Sequence, residues 1–164
     1  MLSNSTAMSI DTNTINQFVA EWYLRLDNHA PTEDLTALVT DDVQMIFPEA
    51  TLPGVNDFKC WYSGGKYSNG TEAPGVINIF FDENHNVVSV ERTGGSDDAP
   101  ELKVVVAWQA SWFVKPATKA KRTSLDATQT WTVVKSNKNK FGLAISKYNA
   151  VAAPFAYAPG FARL

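Results

Sequence analysis

Residues 102–113 alternate without a break. Leu102, Val104, Val106, Trp108, Ala110 and Trp112 fall on one face of an extended chain, and Lys103, Val105, Ala107, Gln109, Ser111 and Phe113 on the other. Successive side chains of a strand point to opposite faces, so this period of two predicts one long strand with its first face buried. Further long β segments are predicted over 87–92, 122–134 and 141–151, joined by turn-rich, charged connectors at 93–100, 115–121 and 135–140. A shorter strand is predicted over 43–47 and stops at Pro48.

The chain before these strands has a different period. Ile15, Phe18, Val19, Trp22, Tyr23 and Leu26 form one apolar stripe at helical spacing, and Asp11 is a plausible N-cap for a helix reaching about Asn28. Pro31 opens a second, short helix with Glu33 and Asp34 in its first turn and Leu35, Leu38 and Val39 inward; Asp41 and Asp42 are expected to end it. A third helix over 56–63 carries Phe58, Trp61 and Tyr62, followed by a Gly/Ser-rich loop over 63–74. The apolar stretch 76–81 fits either a strand or a helix end. Helices first and antiparallel strands after define an α+β protein, with three N-terminal helices packed in the concave face of a curved, mostly antiparallel sheet. A sheet curled around helices makes a cone with an internal cavity.

A length of 164 residues predicts a single domain over 11–151, flanked by a flexible arm at 1–10 and an aromatic tail at 152–164 that covers a groove or a partner. A net charge of −3 gives no case for nucleic acid, and Lys115, Lys119, Lys121 and Arg122 read as a solvated hairpin end. The single cysteine, Cys60, excludes an internal disulfide and a cysteine-rich metal site, and reads as an inert core thiol. No apolar run approaches membrane length and no signal-peptide pattern opens the chain, so no membrane partner is expected and the default compartment is cytoplasmic. The outer face of the 102–113 strand is too bland for an exposed convex surface. A homodimer through Val105, Ala107, Gln109, Ser111 and Phe113 is expected there.

Sixteen of the seventeen acidic residues lie in the first 101 positions, beside four Lys and Arg; the last 63 carry ten basic residues and one acid, Asp126. A carboxylate inside a β-rich run needs either a partner or a chemical task. If Ser124, Asp126, Thr128 and Thr130 form the inward face of their strand, Asp126 points into the cone. If Leu125, Ala127, Gln129 and Trp131 do, Asp126 is a surface group.

The runs Phe18-Val19-Ala20-Glu21-Trp22-Tyr23, Leu35-Thr36-Ala37-Leu38-Val39 with Asp41-Asp42-Val43, Phe47-Pro48-Glu49, and Ala127-Thr128-Gln129-Thr130-Trp131 resemble those of the NTF2-like superfamily, its SnoaL-like branch in particular. The resemblance covers about 15–151. It implies the cystatin-like α+β cone and a set of functions that spans isomerases, polyketide cyclases, dehydratases and non-catalytic modules. Carried onto this chain, the ketosteroid isomerase base falls at Phe47, which cannot take a proton, and the isomerase tyrosine falls at Trp22, with Tyr23 adjacent. The second isomerase acid, and the acid of SnoaL-type cyclases, fall near Asp126. The scytalone dehydratase pattern matches Asp27 and, approximately, His85; its second histidine has no counterpart, with Trp108 and Gln109 in that strand instead.

The expected catalytic set is therefore Asp126, His85 and Asp27, and the expected cavity lining is Trp22, Tyr23, Phe47, Phe58, Trp61, Tyr62 and Trp108. For His85 two readings stay open, a general base at the pocket mouth or a brace for the strand start. His29 reads as a helix C-terminal cap. The stretch 82–86 lacks the Gly and Glu of a calcium loop, and two histidines give no transition-metal set, so neither metal nor cofactor is expected. Two functional classes remain: a cofactor-independent isomerase, cyclase or dehydratase acting on a small, largely apolar or aromatic molecule, and a non-catalytic ligand-binding or dimerisation module.

Overall fold

Asp11 caps the first helix, α1 (Thr12–Asp27), by accepting from the backbone N–H of Thr14 at 3.2 Å. The stripe read from the sequence is its buried face, with Phe18, Val19 and Trp22 fully buried. The structure, a computed structural model, describes residues 10–47, 50–114 and 119–150. The tail expected at 152–164 and all of the expected arm but Ile10 lie outside the described residues. Ile10 is buried, and its carbonyl accepts from Arg92 at 2.7 Å.

After α1 the described elements run α2 (Thr32–Thr36), β1 (Val39–Phe47), β2 (Ala50–Pro53), α3 (Gly54–Ser63), β3 (Gly65–Lys66), β4 (Glu72–Ala73), α4 (Val76–Ile79), β5 (Phe80–Gly95), β6 (Pro100–Val114), β7 (Lys119–Lys135) and β8 (Leu143–Asn149). Six strands form one curved sheet in the order β2-β1-β8-β7-β6-β5, antiparallel except for the parallel pair β1–β8. The two-residue strands β3 and β4 form a small hairpin within the loop expected at 63–74.

Tertiary pairing decides two boundaries against local pattern. Asp41 and Asp42 do not end a helix but lie inside β1, which starts at Val39 because Val39 pairs with Ile145 of β8 and the Leu38 carbonyl accepts from Ile145 at 2.8 Å. The strand expected over 87–92 is longer, with the stretch 82–86 inside β5, because β6 is long enough to pair with it.

The predicted inner face of β6 is buried throughout, with Leu102, Val104, Val106, Trp108, Ala110 and Trp112 each at most 6% exposed. On β7 the buried set is Ala127, Gln129, Trp131 and Val133, while Asp126 is exposed opposite Ala107 of β6. The inward parity of Asp126 is thereby corrected. The aromatic interior of the cone accepts an uncharged amide with satisfied hydrogen bonds far more readily than a carboxylate.

The strand β5 changes register against β6 in three places, between Phe81 and Asn84, Val87 and Ser89, and Arg92 and Gly94. Such bulges bend a strand and increase its twist, which curls this edge of the sheet. The first bulge also sets which side chains enter the cone. Phe80 pairs with Trp112 on the inner face and Phe81 with Ser111 on the outer. Asp82 is then the extra residue, in a left-handed conformation with φ +57°, so that Glu83 and His85 turn inward, His85 opposite Trp108. Without it the alternation would send both outward. Arg122 of β7 clamps the bulge from outside, donating to Asp82 Oδ2 at 2.8 Å, Gln109 Oε1 at 2.8 Å and Ser111 Oγ at 3.0 Å.

A left-handed backbone at a β-branched residue is strongly disfavoured, whereas glycine accepts it freely. Asp82→Val should therefore lower unfolding free energy by about 1–3 kcal/mol. Asp82→Gly should stay within about 1 kcal/mol of wild type, since the lost exposed ion pair offsets the relieved backbone. Urea denaturation of the two variants checks this.

Candidate functional site

Helical spacing puts Tyr23 and Asp27 on one face of α1, and strand parity puts Glu83 and His85 on one face of β5; the two faces meet inside the cone. Asp27 is the last residue of α1, where the helix dipole disfavours a carboxylate. His85 compensates. Its backbone N–H donates to Asp27 Oδ2 at 2.8 Å, and its Nδ1 lies 2.6 Å from Asp27 Oδ1. With Nδ1–H donated to the carboxylate, the neutral ring carries its lone pair on Nε2, which has no hydrogen-bond partner among the described residues. The Tyr23 ring stacks on the imidazole at a centroid distance of 4.6 Å and locks its plane.

Beyond this pair the polar groups continue inward. The Tyr23 hydroxyl donates to Gln129 Oε1 at 2.5 Å, and the Trp131 indole N–H donates to the same oxygen at 3.0 Å. Burial raises the Tyr23 phenol well above its ordinary value, with Tyr148 and Asp27 adding to the shift, and burial pushes Tyr148 up to about 12. Both are neutral hydrogen-bonding groups. Tyr62 donates to the Ala30 carbonyl at 2.5 Å, and burial, with Glu83 and Asp34 nearby, pushes it up to about 12.

Glu83 was not singled out from the sequence. Its Oε2 accepts from the Trp108 indole at 3.0 Å, and its Oε1 faces His29 Nε2 at 4.0 Å. Burial raises its pKa, and Asp27 adds to this, while His85 and Trp108 oppose it. Burial likewise lowers that of His29, against the attraction of Asp27. His29 does lie at the helix end as expected, with φ +50° and its N–H donating to the Leu26 carbonyl at 3.1 Å, but its ring also faces this cluster. The available sequence signal for Glu83 was its spacing of two from His85, hidden by the bulge beside it.

Of the expected catalytic residues, Asp27 and His85 are brought together, while Asp126 lies on the outer face, away from them. The expected lining aromatics are all buried and pack on one another: Trp22 stacks on Phe58 at 5.9 Å, Phe47 on Trp61 at 5.3 Å, and Phe58 on Trp61 at 5.8 Å. A surface cleft of about 360 Å³ lies elsewhere, between Thr51–Pro53, Asp57 and the 67–71 loop. Its one carboxylate, Asp57, is occupied by the Ser68 backbone N–H and hydroxyl, both at 2.8 Å. Cys60 is half-buried, with Sγ 3.3 Å from the Lys66 carbonyl oxygen.

No protein-family model matches the sequence, and no curated protein matches it. Solved structures do. A candidate scytalone dehydratase from Novosphingobium aromaticivorans is 16% identical with a TM-score of 0.63, over 84% of this chain and 80% of its own. A candidate dehydratase of the NTF2-like family from Streptomyces avermitilis is 10% identical with a TM-score of 0.65, over 89% and 98%. The β subunit of benzoate 1,2-dioxygenase from Burkholderia mallei is 14% identical with a TM-score of 0.60, over 87% and 91%. The chain has the NTF2-like, cystatin-like cone fold. Among the described residues no helix is long and apolar enough to cross a membrane.

Two stability predictions separate the inner from the outer face. Gln129→Leu removes the shared acceptor of the Tyr23 hydroxyl and the Trp131 N–H, and should cost about 2–4 kcal/mol. Asp126→Asn should change stability by less than about 0.5 kcal/mol. Thermal and urea unfolding of both variants distinguish these outcomes.

The raised pKa of Glu83 carries a signed pH dependence. Its stabilising share is fully present below the ordinary carboxyl value of 4.5 and is lost as pH rises through the raised folded value. His29 acts oppositely: its share is present above 6.5 and is lost as pH falls through its lowered value. Glu83→Gln should therefore match wild type in acid and exceed it in stability above the folded Glu83 value. Denaturation midpoints measured from pH 4 to 8 test this.

Proposed function

We propose that the chain is a cofactor-independent proton-transfer catalyst of the dehydratase or isomerase type. It would act on a small, largely apolar or aromatic molecule that carries a carbonyl group. The observation that carries this reading is the Asp27–His85 pair, held at 2.6 Å in an aromatic setting with Nε2 left as the free lone pair. In this reading His85 Nε2 takes a proton from the carbon next to the carbonyl. The C–H electron pair moves to the carbonyl oxygen as an enolate, and Asp27 stabilises the resulting imidazolium. Return of the proton to a different carbon gives isomerisation; loss of a β-hydroxyl as water gives dehydration. The dehydratases of the same fold support the reaction type by analogy of fold.

A second reading, a non-catalytic ligand-binding or dimerisation module, is favoured by the outward position of Asp126 and by the small outer face of β6. There Val105 and Ala107 are half-buried, and Gln109 and Ser111 are already engaged by Arg122. The side chain of Phe113 lies outside the described residues. A homodimer through this face belongs to this proposal and is compatible with catalysis; the dioxygenase β subunit is a neighbour in fold that is named as a subunit.

Deuterium exchange into 2-tetralone in D₂O, followed by proton NMR, decides between the two. The wild type should exchange the protons next to the carbonyl faster than buffer. His85→Gln should lose about 10²–10⁴-fold of that acceleration, and Asp27→Asn should lose activity with the fold intact. Equal exchange in wild type and His85→Gln would remove the catalytic assignment and leave the module reading.

A further inference from the structure

We propose that Glu83 stores a proton inside the site for transfer to a ligand oxygen, and that His29 connects this store to solvent. The inference rests on the proton-transfer reading above but assigns it to residues that the Asp27–His85 pair does not include. Glu83 Oε1 and His29 Nε2 face each other at 4.0 Å; both atoms are buried, and neither has a hydrogen-bond partner among the described residues. A buried polar atom without a partner forfeits its hydration with nothing in return, so two of them facing one gap need a reason. The exposures differ in a useful way: the Glu83 side chain is 5% exposed and that of His29 30%. One partner is sealed inside the cone, and the other has part of its ring at the surface.

The backbone holds the arrangement against its own preference. His29 and Asp82, the residue before Glu83, have φ of +50° and +57°, and are the only non-glycine residues with positive φ among those described. Non-glycine residues in the left-handed region gather at functional sites. The Trp108 indole fixes the carboxyl by holding Oε2 at 3.0 Å, which leaves Oε1 toward His29. The titratable groups around Glu83 are Asp27 and His29 from the end of α1, Tyr62 from α3, His85 from its own strand and Tyr148 from β8. The two phenols are neutral. Burial pushes the Glu83 carboxyl up and Asp27 adds to this, against the pull of His85 and of the Trp108 hydrogen bond.

The step balances. The Glu83 O–H bond breaks, the ligand oxygen gains the proton, and the electron pair stays on the carboxylate. His29, protonated from water at the surface, returns a proton across the gap and becomes neutral. In an elimination, His85 removes one proton and later gives it up to water, while Glu83 supplies the proton that leaves with the hydroxyl and is refilled through His29.

The test is a paired NMR titration of the full chain, following the Glu83 carboxyl carbon and the His29 ring nitrogens. If the two share a proton, each midpoint depends on the other by the same amount. Glu83→Gln should lower the His29 midpoint by about one pH unit or more, because the carboxylate that stabilises the imidazolium is gone. His29→Gln should raise the Glu83 midpoint equally. Glu83→Asp keeps the charge and lengthens the gap, and should give a smaller coupling; it serves if the Gln variant does not fold. Midpoints that stay within a few tenths of a unit in all variants, or a Glu83 that titrates as a surface carboxylate, would overturn the store. Neither result bears on His85 as base, which the 2-tetralone exchange decides separately.

Discussion

The candidate site depends on one extra residue in one strand. With Asp82 absorbed as a bulge, β5 keeps Phe80 inside and adds Glu83 and His85 to the same face. Its left-handed backbone is unfavourable for aspartate, though less so than for most residues, because a short polar side chain can bond locally. Here it bonds to Arg122, which also ties down Gln109 and Ser111 on the neighbouring strand. An exposed ion pair contributes little to stability by itself. Its role is geometric, since the outside of the sheet fixes which side chains reach the inside.

The interior then solves a polarity problem in two ways. Near its centre, where Trp22, Trp131 and Tyr23 are fully buried, the polar member is Gln129, neutral and satisfied by two donors. Toward the end of α1, where Asp27 and His85 keep some contact with solvent, ionisable groups are tolerated because each has an opposite partner in reach. Asp126 obeys the same rule by staying outside. Isolation in the sequence marked it as unusual, but isolation does not decide which way a strand faces.

Much of the fold was legible because its signals are periodic. The stripe from Ile15 to Leu26 and the alternation from Leu102 to Trp112 each repeat often enough to survive local exceptions. The start of β1 and the first half of β5 were not legible, because both are set by partners far away in sequence: Val39 by Ile145, and residues 84–87 by residues 106–109. The candidate site was half legible for the same reason. Asp27 and His85 stood out by residue type and by family resemblance, whereas Glu83 became visible only after a two-against-one pairing had shifted the parity of its strand.

The four ionisable groups at this end of the cone are arranged in a crossed pattern. The end of α1 supplies an acid and a histidine two residues apart, Asp27 and His29, and β5 supplies another such pair, Glu83 and His85. Contacts run between elements rather than within them, Asp27 to His85 and His29 to Glu83. The two cross-pairs sit in different surroundings. Asp27 and His85 make a short hydrogen bond through Nδ1, on the opposite side of the ring from Nε2. Glu83 and His29 are separated by 4.0 Å, and burial favours the uncharged form of each. Two carboxyl groups in one site, one bonded to a histidine and the other pushed toward its protonated form by burial, set up the division that acid–base chemistry draws on. Helix geometry and a single bulge are enough to produce it.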